Sequence, residues 1–288
     1  APRRLTSNGT NLIAAETNNN RVAIWNTFPT ANGPTIDIVL GQATFTSGGV
    51  NAGTTVAATT LNVPNSVQIL NGNLWVGDNG NSRFLKYTGI PTVTNTAASF
   101  VLGQERITKN NQPLSAGTNA HSFNRFADVE MVGNKVFTLS RGNYRMLVYN
   151  TPWPAGGLAD ADYAWGQADM ISDQSNRGTT LTSTSLSDSR FVTSVGGKFF
   201  ISDYANNRIL GFNAPPAANT TVPDFVLGQA NFTTGSANTG GRSASTLWGP
   251  AGIGSDGSKF AVADTSNHRV LIWNSIPSST QQAADIVI

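Results

Sequence analysis

One short phrase of residues is written five times along this chain of 288 residues. Its clearest copy is Asp264-Thr-Ser-Asn267-His-Arg269, which runs on into Val270-Leu-Ile-Trp273. The others are Glu16-Thr-Asn-Asn19-Asn-Arg21, Asp78-Asn-Gly-Asn81-Ser-Arg83, Ser140-Arg-Gly-Asn143-Tyr-Arg145 and Asp203-Tyr-Ala-Asn206-Asn-Arg208. Successive arginines lie 62, 62, 63 and 61 residues apart. A period held that closely over a whole chain means one supersecondary unit repeated in space.

Each unit reads as four apolar runs. The first begins at Pro2, Pro64, Phe126, Ser189 or Pro250 and places an apolar residue three positions on (Leu5, Val67, Val129, Val192, Ile253). A Gly- or Asn-rich turn leads to the second run, which is hairpin chemistry. The Asp-x-x-Asn-x-Arg phrase joins the second run to the third. The third carries an aromatic four residues beyond the Arg in every copy, expected in the core: Trp25, Tyr87, Tyr149, Phe212 and Trp273. The fourth run is followed by Gly-Gln in the first four copies, at Gly41-Gln42, Gly103-Gln104, Gly166-Gln167 and Gly228-Gln229. The runs are short, rich in β-branched and aromatic residues, and show no helical period. Four antiparallel strands repeated five times predict an all-β chain, a β-propeller of five four-stranded blades, because each blade hides its faces against its neighbours. The blades cover about 1–42, 64–104, 126–167, 189–229 and 250–288 of a single domain, 1–288. The alternative is that these five form part of a six-bladed ring.

Asp264-Thr-Ser-Asn267-His-Arg269-Val-Leu-Ile-Trp273 resembles the signature of NHL-repeat proteins, and the other copies match it more loosely. The resemblance implies a propeller, most often six-bladed in that family. This chain departs from the family in having five copies and a longer unit. Propeller lyases similar to NHL proteins use histidine-bound metal. With only His121 and His268, this chain lacks such a set.

Composition removes several classes of function. Charged residues make up only 12% and the net charge is +2, so there is no basic field to attract nucleic acid, and the chain holds only five lysines. No cysteine is present, which excludes disulfides, thiolate metal sites and cysteine nucleophiles. No stretch is long and apolar enough for membrane insertion by a helix. A start at Ala1-Pro2 fits a chain whose signal peptide has been removed. Together with an uncharged, Asn/Thr/Gly-rich composition, it predicts a secreted or surface-exposed bacterial protein, extracellular or periplasmic.

Five repeated carboxylate–guanidinium sets invite a functional reading, but repetition argues for scaffold. Asp or Asn caps turn amides and Arg forks onto carbonyls. The Gly-Gln pair reads likewise, as a sharp exit and a backbone-bonding amide. Function is expected where the copies differ, in the crossovers 43–63, 105–125, 168–188 and 230–249, which are long and divergent. The candidate binding residues there are Arg106, Lys109, His121, Arg125, Arg242 and Trp248. A plainer reading packs the same crossovers on the blade tops through Phe45, Phe123, Leu186 and Leu247, and it makes His268 a surface variation inside the repeat turn. In the first strands, Asp128 and Glu130 face the same way, as two solvated carboxylates in the channel or, less favoured, as a cation site. No nucleophile-elbow context appears, so the expectation is a non-catalytic protein without cofactor. Its partner would be another protein or a second copy. A glycan stacked on Trp153, Trp165 or Trp248 is the alternative, and a carboxylate- or metal-dependent enzyme the outsider.

Overall fold

The structure, a computed structural model, describes residues 2–110, 117–152 and 159–288. Its five four-stranded antiparallel sheets are the blades of a five-bladed β-propeller, each laid down in simple up-and-down order. Blade 1 comprises Pro2–Ser7, Leu12–Glu16, Arg21–Trp25 and Ile38–Leu40; blade 2 comprises Pro64–Leu70, Asn73–Asp78, Arg83–Tyr87 and Phe100–Leu102. Blade 3 comprises Phe126–Val132, Lys135–Ser140, Arg145–Asn150 and Tyr163–Trp165; blade 4 comprises Phe191–Val195, Lys198–Asp203, Arg208–Phe212 and Phe225–Leu227. Blade 5 comprises Pro250–Ser255, Phe260–Asp264, Arg269–Trp273 and Ile286–Val287. Among the described residues the only helical pieces are short 3-10 turns, and no helix is long and apolar enough to cross a membrane.

The hairpin turns have the chemistry the sequence offers. Asn71 and Gly72 both take positive φ, 47° and 72°, the backbone twist that a tight two-residue hairpin demands. The second turn of every blade is one 3-10 turn closed by a left-handed residue: Asn20, Ser82, Tyr144, Asn207 or His268.

The chain forms two compact units, the first around blades 1 and 2 with His121–Ala127, the second around Asp128–Thr151 and Ala161–Ile288. In the first, Ile13, Val22, Ile24 and Leu40 on one face of blade 1 meet Val67, Leu74, Val76 and Leu85 on the opposed face of blade 2. In the second, Phe200, Ile209, Phe225 and Leu227 of blade 4 meet Ile253, Phe260, Val262, Leu271 and Trp273 of blade 5. Both faces of an interior blade are therefore apolar. That is why its strands read as apolar runs rather than as strict alternation. Aromatic pairs tighten the seams, with Phe84 stacked on Phe126 at 4.6 Å and Phe200 tilted on Phe260 at 4.5 Å.

Three expectations need correction. Of the aromatics four beyond each Arg, Tyr87, Tyr149, Phe212 and Trp273 are core, but Trp25 is only half-buried. Of the four crossover anchors, Phe123, Leu186 and Leu247 are buried while Phe45 is exposed, its place being taken by Leu61. Leu61, Leu186 and Leu247 lie over the glycine that ends the fourth strand of the preceding blade, and a Cβ on Gly228 would come within 2.6 Å of Leu247. Trp165 is fully buried in blade 3, its indole N–H donating to the Thr221 carbonyl at 2.8 Å, so it offers no stacking platform. Trp153 lies outside the described residues.

The residue before each first strand in blades 2, 3 and 5 is left-handed: Val63 (φ 52°), Arg125 (φ 56°) and Gly249 (φ 58°). The repeat thus asks for positive φ there, and a β-branched Val63 is the costliest way to supply it. Val63 is also exposed, so little packing is lost on truncation. Val63→Gly is expected to stabilise the protein by about 1 kcal/mol, read as a higher midpoint in urea denaturation with unchanged slope.

Candidate functional site

The repeated polar phrase folds into a clamp that holds the crossovers. In blade 4, Asp203 and Arg208 sit opposite each other at the base of the hairpin, both wholly buried. Arg208 Nε donates to Asp203 Oδ2 at 2.8 Å, and Asn206 Nδ2 donates to the same oxygen at 2.7 Å. The other carboxylate oxygen accepts the Ser187 amide at 2.8 Å. The remaining guanidinium N–H groups reach out of the turn, to the carbonyls of Phe232 (2.5 Å), Thr182 (3.1 Å) and Ser185 (2.8 Å). Thr182 and Ser185 belong to the incoming crossover and Phe232 to the outgoing one. One side chain therefore ties both loops to one blade.

Blade 2 repeats the arrangement. Arg83 Nε meets Asp78 at 2.7 Å, Nη2 donates to the carbonyls of Ala57 (2.9 Å) and Thr60 (2.7 Å), and Nη1 donates to the Ile107 carbonyl. In blade 5, Arg269 binds Asp264 at 2.7 Å and the Ser243 and Thr246 carbonyls at 2.8 Å each. Blade 1 uses a less buried version, in which Arg21 pairs with Glu16 and donates to the Phe45 carbonyl. Burial pushes the Asp78 and Asp203 carboxyls up, and Arg83 and Arg208 pull them back.

Blade 3 lacks the acid. Ser140 donates to Asn143 Oδ1 at 2.9 Å, and Arg145 still clamps its loops through the carbonyls of Met170 and Asn119, both at 2.6 Å. Burial pushes its guanidinium down to about 10, while Tyr149, Asp173 and Asp169 pull it back.

The crossovers, divergent by eye, share a feature that was not read from the sequence. Asn51, Asn176 and Asn238 each exchange amide hydrogen bonds with the turn asparagine of the next blade: Asn51 with Asn81, Asn176 with Asn206, Asn238 with Asn267. The available signal is an Asn-x-Gly in three crossovers, about one half-period before the turn Asn. The expected Gln role holds. Gln42 Nε2 donates to the carbonyls of Asn20 and Gly49, and Gln229 Nε2 to those of Asn207 and Ser236, all within 3.0 Å. The variable turn position is more than surface variation. It is the left-handed residue, and where it is Asn it binds the loops too, Asn207 taking the Gly249 amide and donating to the Gly235 carbonyl. His268 keeps the conformation and stands exposed.

The six candidate residues fall in both units. In the first, Arg106, Lys109 and Arg125 are exposed, and His121 Nδ1 lies 2.5 Å from Asp160 Oδ1. Arg106 and Glu105 rim a cavity of about 390 Å³ whose floor is Ala98, Phe100, Val101 and Ile107. Lys109 sits one turn on, its amide donating to the Arg106 carbonyl at 3.0 Å. In the second unit, Arg242 and Trp248 are exposed, and the Trp248 amide is held by Asp264 at 2.7 Å.

Asp128 and Glu130 correct a further expectation. Neither is a freely solvated carboxylate. Asp128 is buried and accepts the Val192 amide at 3.2 Å; Glu130 accepts the Ser194 amide at 3.3 Å and that of Met131 at 3.0 Å. They stitch the first strand of blade 3 to the first strand of blade 4. Burial, with Asp128 nearby, holds Glu130 up at about 7. Among the described residues no group of three or more His, Cys, Asp or Glu is placed to hold a metal ion.

No protein-family model matches the chain, and no curated protein matches it. Solved structures do. Streptogramin B lyase superposes with a TM-score of 0.51 at 12% identity, over 96% of this chain and 69% of that one. A protein provisionally assigned as a 6-phosphogluconolactonase from Bacteroides uniformis gives 0.49 at 13% identity, over 95% of this chain and 66% of that one. A second such protein, from Bacteroides fragilis, gives 0.49 at 13%, over the whole of this chain and 70% of its own. The chain thus spans about two thirds of the length of the structures it resembles, and at such identity the likeness to the lyase is one of fold.

Two measurements test this reading of the polar residues. Arg208→Ala leaves Asp203 buried without its cation and frees three loop carbonyls, so it is expected to cost about 3–5 kcal/mol in chemical denaturation, and Arg21→Ala, at the less buried clamp, clearly less. For Glu130, the folded state keeps a proton that the unfolded chain releases. Stability is therefore fully present below the ordinary carboxylate range, falls as pH rises towards about 7, and is level above it. The loss is expected to reach at most about 3 kcal/mol, and Glu130→Gln should flatten the thermal-melt profile across that window.

Proposed function

We propose that this chain is a non-catalytic binding or scaffold propeller, secreted or surface-exposed, that holds another protein on its crossover loops. The observation that carries the reading is the loop clamp. The guanidinium of Arg83, and that of Arg208, bonds to carbonyls on the crossovers at either side of its blade, and the asparagine exchanges pin the same loops. Loops held in one shape before a partner arrives lose little entropy on binding. The polar residues that could have formed a repeated reactive centre are spent on holding these loops. What the loops offer outward is Arg106, Lys109 and Arg125 in the first unit and Arg242 and Trp248 in the second, and arginine and tryptophan are residue types that anchor protein interfaces. The low charge and Asn/Thr/Gly-rich composition support an extracellular or periplasmic setting.

Native mass spectrometry on protein taken from its source is expected to reveal a complex with a second polypeptide. Arg106→Ala/Lys109→Ala and Trp248→Ala should weaken that complex at least tenfold while leaving the melting temperature in place. Retention of full affinity in both variants would overturn the reading.

A second reading, a small-ligand or glycan site, has its own support in the first unit. A cavity of about 290 Å³ is lined by the half-buried Trp25, the exposed Phe28, Pro29, Pro34 and Asp37, an aromatic wall of the kind that sugars stack on. Tryptophan fluorescence titrated with soluble glycans should shift in the wild type and not in Phe28→Ala; an unresponsive wild type disposes of it.

A further inference from the structure

Within the second unit, the junction of blades 3 and 4 holds more positive charge than the repeat calls for. Arg141 is the first residue of the second-hairpin turn in blade 3, and Tyr204 holds the same place in blade 4. The other blades have Thr17, Asn79 and Thr265 there, none of them charged. Thr17 does a plain structural job, its hydroxyl donating to the Pro64 carbonyl at 2.8 Å. Asp188, the last residue of the third crossover, fills the left-handed position (φ 53°) held by Val63, Arg125 and Gly249 in blades 2, 3 and 5. Arg190, two residues on, stands where those blades have Asn65, Ala127 and Ala251. The frame of the propeller is built without these charges elsewhere.

One carboxylate here serves two guanidinium groups. Arg141 pairs with Asp188 through Nε, and through Nη2 at 3.1 Å, while Arg190 Nη2 donates to the same carboxylate at 2.9 Å. Asp188 cancels one charge and leaves one. The Arg190 side chain makes a single hydrogen bond, that one to Asp188, and its buried Nε has no partner. Arg208, a clamp, makes four. An arginine kept to brace the frame does not leave most of its donors idle. Its plane is fixed all the same. The guanidinium lies over the Tyr204 ring, 3.3 Å from the centroid, and the ring is backed by Gly249, where a Cβ would come within 3.0 Å of it. The side chains of Arg141, Arg190 and Asp188 are 30%, 29% and 23% exposed, so solutes reach the group while water screens it only in part.

We propose that Arg190, held on Tyr204 beside Arg141, is a binding site for a carboxylate. The charge count selects the class. One monoanion balances the surplus, whereas a phosphate monoester, at about −1.5 to −2 near pH 7, sets excess negative charge against Asp188. Shape agrees, because paired guanidinium N–H groups match the two oxygens of a planar carboxylate. The site uses none of the side chains that carry the loop reading above, and it goes beyond that reading.

Two monoanionic probes test it on the full chain: propionate, and a glycine peptide with blocked ends and one central glutamate. Propionamide and the matching glutamine peptide are the uncharged controls. In an NMR titration the Arg190 Nε–H signal is expected to shift and saturate with at least one carboxylate probe and with neither control. Arg190→Gln should weaken binding at least tenfold, and Arg190→Lys, which keeps the charge but loses the fork, by less. Asp188→Asn removes the competing carboxylate and suits the left-handed backbone, so it should tighten binding at least threefold, a change that a merely structural role for Asp188 does not produce. Melting temperatures check that each variant is folded. Tighter binding of the peptide assigns the carboxylate to an acidic polypeptide, tighter binding of propionate to a free acid, and either supports the site. No saturable response to either probe, an equal response to the controls, or binding untouched by Arg190→Gln would overturn the inference, as would tighter binding of inorganic phosphate. A chain that takes carboxylate in this way yet meets no partner through Arg106 and Lys109 fails the loop reading alone; one that binds a partner there but neither probe fails this inference alone.

Discussion

The structure depends on where five guanidinium groups end. A crossover of some twenty residues without regular structure would normally leave backbone carbonyls wandering in water, and its ordering entropy would weigh against the fold. Here the arginine at the base of each second hairpin reaches those carbonyls, and in blades 2, 4 and 5 an aspartate beneath it fixes the fork. Burying a charge pair gains little by itself, because desolvation consumes most of the attraction. Its value is specificity, since only one placement of the two adjoining loops satisfies all the donors together.

Blade 3 shows how far the device can be reduced. With Ser140 in the acid's place, Arg145 holds its two loop carbonyls without the carboxylate, and its guanidinium gives up some of its affinity for the proton. The clamp survives because the acceptors that matter are backbone atoms. Nearby, Arg141 of the same turn pairs instead with Asp188 in the next crossover, so charge is still spent on loop attachment, by another route.

Much of the fold was legible because its signals are local and repeated. The period, the Gly and Asn hairpin turns, the aromatic beyond each Arg and the Gly-Gln exit each depend on near neighbours in sequence, and five copies average out the exceptions. What escaped is long-range. The Asn-x-Gly that begins at Asn51 recurs in two other crossovers but does not name its partner thirty residues on at Asn81, and nothing in Asp128 or Glu130 says that the amides of Val192 and Ser194 lie above them. The same holds for Trp165, whose indole is satisfied by Thr221, far along the chain. The loop candidates were legible as residue types only. That Arg106 rims a cavity floored by Phe100 and Ile107 follows from how the loop lands, which the clamp decides.

The clamp's acceptors are peptide carbonyls, and every amino acid carries the same one. An anchor of that kind does not see which side chains sit on the loop it holds. Apart from the Asn-x-Gly and the buried leucine or phenylalanine at its end, a crossover can exchange its residues without loosening its attachment. Lineages carrying this repeat could therefore diversify their outward surface quickly under selection while the frame stays unchanged, in the manner of hypervariable loops on a constant support.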